Sequence, residues 1–62
     1  MNIKDIKLGD IIDVCIEGED VHRLMIIEKG EVVVYGISST GDGYAVEPRS
    51  EIEKIVVNIN DL

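Results

Sequence analysis

The chain has no Trp, no Phe and only two Tyr, with one Cys, one His and one Pro among its 62 residues. Without large aromatic rings, the core must be aliphatic. Those residues are mostly Ile and Val; Leu stands only at 8, 24 and 62 and Ala only at 45. β-branched side chains lose rotamer freedom in a helix and suit a pleated surface. The composition is therefore that of a β protein. One cysteine, Cys15, excludes an internal disulfide, and a lone thiol fits a reducing compartment. One His and one Cys do not make a structural zinc site unless several carboxylates or a second subunit join them. No apolar run reaches the length of a signal peptide or a membrane span, so a cytoplasmic location is expected. Cations are scarce as well. Six Lys and Arg face thirteen Asp and Glu, a formal net charge of −7. Nucleic-acid binding normally requires a Lys/Arg surface to neutralise phosphates, so neither nucleic acid nor an anionic membrane is an expected partner. A basic protein surface is a permitted one.

Sixty-two residues form one domain. A chain of this size buries only about 60% of its unfolded surface, so tight packing or oligomerisation must compensate.

What the chain does have is a dense apolar centre, Val21 to Ile37. It reads VHRLMIIE, then Lys29-Gly30, then EVVVYGI. Gly30, Gly36 and the triple Val oppose a single helix. An antiparallel hairpin is expected, turning at Lys29-Gly30 or through a longer turn from Glu28 to Glu31. Before it, Ile3 and Ile6 fit one face of a helical turn capped by Asn2, or a short edge segment. Leu8-Gly9-Asp10 is a turn. Ile12, Val14 and Ile16 then alternate with Asp13, Cys15 and Glu17 in a strand with one core face. Ser38 to Gly43 is a polar, Gly-rich loop. Tyr44 to Glu47 is a short strand that Pro48 ends. Ser50 and Glu53 have capping-box spacing and predict one helical turn. Ile55, Val57 and Ile59 form the last strand.

Leu8-Gly9-Asp10-Ile11-Ile12 and the stretch from Ser50 to Lys54 resemble the SH3-like small barrels, over roughly residues 8 to 60. The resemblance implies an all-β, five-stranded SH3-like barrel with one short helical turn before the last strand. It does not extend to a peptide groove lined by several aromatic rings. Only Tyr35 and Tyr44 are present, so recognition of Pro-rich peptides is not expected.

The candidate sites follow from polar clusters. Glu17, Glu19 and Asp20 form an acidic turn, able to meet a basic partner or simply solvated; they lack the ligand spacing of a Ca²⁺ loop. Tyr35, Asp42, Tyr44 and Glu47 surround the polar loop, and Tyr offers a large amphipathic surface at low entropy cost. Together these seven residues are the expected partner-binding set. The alternative is a small phosphate- or nucleotide-type ligand held by Ser38, Ser39, Thr40, Gly41, Gly43 and Arg49, with backbone N–H groups as a nest. His22 and Cys15 would serve an enzyme only if the first hairpin joined them; a packed histidine and a small buried thiol are the plain readings. No metal, cofactor or catalytic group is expected. Lys4, Lys7, Arg23, Arg49 and Lys54 would need to converge to bind RNA. Ile11, Cys15, Met25 and Val56 fall on the second apolar parity, which points to a subunit interface and a homodimer. The expected function is that of a small acidic, non-enzymatic adaptor or inhibitor that binds another protein.

Overall fold

A computed structural model describes residues 2–18 and 20–62. Glu19, one of the expected partner-binding residues, lies outside them. The fold is all-β. Five antiparallel strands, β1 (Asp10–Cys15), β2 (Val21–Lys29), β3 (Val34–Ile37), β4 (Gly43–Val46) and β5 (Glu51–Asn58), form one sheet in the order β4-β3-β2-β1-β5. Short 3₁₀ turns at Ile3–Asp5 and Ile59–Asp61 flank it.

The strand at the centre serves two half-sheets. Residues 21–25 of β2 pair with β1, and residues from Met25 onward pair with β3. Met25 is opposite both Ile11 and Ile37. A strand that changes partners along its length curls the sheet. Ile12, Val14, Leu24, Ile26, Val34, Val46 and Ile52 therefore share one buried cluster, although β4 and β5 are the two ends of the sheet. Gly36 sits within this curl: a Cβ there would lie 2.9 Å from the Leu24 Cβ. Only glycine lets β3 approach β2 so closely.

The N-terminal segment completes the core. Asn2 caps the first 3₁₀ turn by accepting from the Lys4 N–H at 3.0 Å, and Asp5 reaches back to the Asn2 N–H. Ile6 emerges from that turn fully buried, with Ile3 packed beside it. Lys29 at the end of β2 donates to the Ile6 carbonyl at 2.6 Å and fixes the segment.

Three sequence expectations are corrected. The Ser50-to-Glu53 helical turn is a β-turn over residues 47–50, closed by Ser50 N–H to Glu47 O at 2.9 Å. Ser50 Oγ accepts from the Glu47 N–H instead of capping a helix. Glu51 already pairs with Cys15, and Ile52 is buried, so sheet pairing and burial override the local capping signal. Consequently the last strand starts at Glu51, and Ile59 belongs to the closing 3₁₀ turn. The hairpin connection is longer than Lys29-Gly30: it spans residues 30–33, with Gly30 N–H donating to Val33 O at 2.8 Å. Of the three valines only Val34 is in a strand.

Candidate functional site

Strand alternation decides which side chains can meet. On β2, His22, Leu24 and Ile26 face inward, while Val21, Arg23 and Met25 face outward. Val14 is opposite His22, and Cys15 is opposite Val21. Cys15 and His22 therefore project from opposite faces of the same hairpin and form no dyad. His22 instead meets Tyr44, their ring centroids 4.7 Å apart and tilted by 31°.

The two tyrosines also part company. Tyr44 turns inward and packs against the core, whereas Tyr35 on β3 is outward and 43% exposed. Both nevertheless belong to one end of the sheet. Tyr35 is opposite Ala45, the next residue after Tyr44 on β4. Asp42 immediately precedes β4 and Glu47 immediately follows it. Four of the expected partner-binding residues are thus gathered on or around one edge strand.

Glu17 joins from another loop. It sits early in the connection from β1 to β2, with a positive φ of 53°. Arg49, in the turn after β4, donates to Glu17 at 2.7 Å and to Glu47 at 2.9 Å. Two acids thirty residues apart, 47 and 17, meet through one guanidinium. Asp20 is exposed at the start of β2.

The ligand-loop set is not assembled in the same way. Ser38, Thr40 and Asp42 bond one another: the Ser38 and Thr40 hydroxyls are 2.9 Å apart, and Thr40 donates to Asp42 at 3.0 Å. The N–H groups of Ser38, Gly41 and Asp42 all bond within the loop. Gly41, at φ 88°, permits this closure. Ser39 is exposed at its tip and Gly43 opens β4. Arg49 stands at the other end of β4, engaged by carboxylates. A nest with inward-aimed donors and a nearby cation is not what these residues build.

Two of the five cations meet, but at a carboxylate. Arg23 grips Asp13 through two bonds, at 2.8 and 3.0 Å, and Lys54 stands 4.0 Å from the same carboxylate. These hydrogen bonds hold the Asp13 carboxyl below its usual range; desolvation opposes them, and the Arg23 and Lys54 charges add to the lowering. Meanwhile Asp5, Asp20, Glu28, Glu31, Asp42, Glu51, Glu53 and Asp61 are exposed and make no ion pair among the described residues. Among the described residues no group of three His, Cys, Asp or Glu could hold a metal ion, and no helix is long and apolar enough to cross a membrane.

Of the second apolar parity, Ile11 and Met25 fall in one row, whereas Val56 sits at the register shift of β5 and Cys15 lies farther along β1. Val57, Ile11, Met25 and Ile37 are in register across β5, β1, β2 and β3, each half-buried on the outer face. A groove of about 310 Å³ beside Ile11, Met25 and Ile37 is lined also by Arg23, Ser38 and Ser39.

Sequence reasoning missed one polar pair. Asp10 is only 3% exposed, yet its carboxylate accepts from Asn58 Nδ2 at 2.7 Å and from the Lys7 N–H at 2.8 Å. Asn58 also donates to Leu8 O and caps Asn60 N–H, so it locks the end of β5 to the start of β1. The available signal was two asparagines, 58 and 60, closing an otherwise apolar run. No protein family model matches this chain, and neither a curated protein nor a solved structure matches it.

Proposed function

We propose that the protein is a small acidic binding module that acts without catalysis, as an adaptor or inhibitor of a partner protein with a basic surface. One observation carries this reading: the surface carboxylates outnumber the cations, and four of the six cations are already engaged. Arg23 and Lys54 share Asp13, Arg49 is held by Glu17 and Glu47, and Lys29 is folded onto backbone carbonyls. Eight exposed acids remain without an ion pair among the described residues, and with Glu17 and Glu47 they face solvent. Such a surface speeds encounter with a positive one and repels nucleic acid. The SH3-like reading of the barrel belongs to the same proposal. It is supported by the shared central strand, by β5 lying beside β1, and by a tight turn before the last strand. A cytoplasmic site of action fits the single thiol.

The test is an affinity capture with tagged protein, with and without nuclease, followed by measurement of the purified complex across a salt series. A stoichiometric protein that survives nuclease, and whose affinity falls steeply as salt rises, is the expected result. A complex indifferent to salt would replace the acidic-surface reading with an apolar interface.

A further inference from the structure

β4 is an end strand, and its outer edge differs from that of β5. β5 reads EIEKIVVN, with three charges and two register shifts against β1. Charges and irregular register are the usual means by which edges avoid pairing with other chains. β4 reads GYAV, with no charge and an unbroken register against β3.

The backbone of β4 can be assigned rung by rung. Ser38 N–H donates to Asp42 O at 2.9 Å, one step beyond the Ile37–Gly43 pair. Antiparallel ladders alternate bonded and non-bonded pairs. Counting from 38 and 42, Gly36–Tyr44 and Val34–Val46 are the bonded pairs. Gly43 and Ala45 then turn their N–H and C=O groups away from β3. Both residues are exposed, and between them they carry a single methyl group. Beyond β3, no backbone bond among the described residues reaches either.

Charge selects the occupant. Asp42 and Glu47 bracket the strand, about 17 Å apart at ~3.3 Å per residue. Pairing with β4 of a second copy, Gly43 against Ala45, would place Asp42 opposite the second copy's Val46 and next to its Glu47 at both ends. That arrangement is repulsive. A strand with basic residues at its ends meets the same two acids favourably. Ala45 is too small to cover Tyr35, so the Tyr35 ring stays open to a side chain on the added strand.

We propose that the β4 edge receives an extended, basic segment of a partner protein as a sixth strand. This rests on the acidic-surface reading above and gives it a place and a mode: main-chain bonds to Gly43 and Ala45, and cations beside Asp42 and Glu47.

The probe is the synthetic peptide acetyl-Lys-Thr-Val-Thr-Val-Lys-amide, titrated into the full chain and followed by amide NMR and hydrogen exchange. Gly43 and Ala45 amides are expected to shift and to exchange at least about tenfold more slowly at saturation. The Ala45→Pro variant removes one outward donor and spares the β3 ladder, because proline is accepted on a solvent-facing edge. It should keep its Tm and bind the peptide at least about tenfold more weakly. Asp42→Asn, a milder change, should weaken binding and flatten its salt dependence. Replacing both peptide lysines by glutamate should abolish binding. Shifts confined to Glu17, Asp20 and Glu47, with Gly43 and Ala45 unprotected, would overturn the edge proposal and leave the acidic-surface reading standing. Protection of Gly43 and Ala45 by raised protein concentration alone would assign the edge to a second copy and overturn the basic-strand proposal. Absence of any response to the basic peptide would overturn both.

Discussion

The two halves of the sheet that share β2 are built differently. In one, β1 is paired on both sides, with β2 over five residues and with β5 over six. It carries the Asp13–Arg23 ion pair and the buried Asp10–Asn58 contact, and the segments before β1 and after β5 are tied to it. The other half consists of the end of β2 with two strands of four residues. Among the described residues no ion pair joins its strands, and no backbone bond reaches its outer edge. These ties predict that stability is concentrated in the first half. Accessible backbone and the gathered Tyr35, Asp42, Tyr44 and Glu47 belong to the second. On the proposed reading, this small sheet holds its fold on one side of a shared strand and leaves the other side open to a partner.

That contrast can be broken most strongly in its stable half. Ile12→Ala removes a fully buried side chain from β1 and should cost about 2–5 kcal/mol. A 62-residue domain has only about 3–9 kcal/mol to lose. Urea denaturation should therefore show a large fall in midpoint, or an unfolded chain. Asn58→Ala leaves the Asp10 carboxylate short of a donor in a buried setting and should cost about 1–3 kcal/mol in the same assay. Gly36→Ala probes the open half. Its Cβ would meet the Leu24 Cβ at 2.9 Å, and overpacking of this kind costs about 1–3 kcal/mol. Amide shifts should spread through β3 and β4 while those of β1 and β5 stay nearly unchanged.

The smallest expected effect depends on pH. The folded Asp13 carboxyl titrates below its unfolded value, chiefly because of the Arg23 hydrogen bonds. Its contribution is fully present above the unfolded carboxylate pKa of about 3.9 and is lost as pH falls through the folded value. Asp13→Asn should therefore be modestly less stable than the parent at neutral pH, with the gap closing in acid. An unchanged gap from pH 7 into strong acid would show that the ion pair is not its source.

Much of this architecture was legible because its causes are local. The alternation of Ile12 and Val14 gave the core face of β1, and the Asn2 cap placed Ile3 and Ile6 together. The hairpin from Val21 to Ile37 followed from Gly and β-branched residues. What escaped depends on distant partners. Asp10 meets Asn58 across 48 positions, and Glu17 meets Arg49 across 32. Neither pairing leaves a periodic trace. Ser50 misled because a local cap and a strand start share the same residues, and burial of Ile52 decided between them. Of the candidate site, the residues around β4 were named but their common edge was not. Tyr35 and Tyr44 face opposite ways, and only the register between β3 and β4 shows that they flank one strand.

Native-state hydrogen exchange tests the division between the halves most directly. The amides of β1 should exchange only through global unfolding, with protection that tracks the denaturation free energy. Those of Tyr44 and Val46 should exchange through a smaller opening, and those of Gly43 and Ala45 with little protection at all. Equal protection across β1 and β4 would contradict the account, because the sheet would then open as one unit and no half of it would be set apart for a partner.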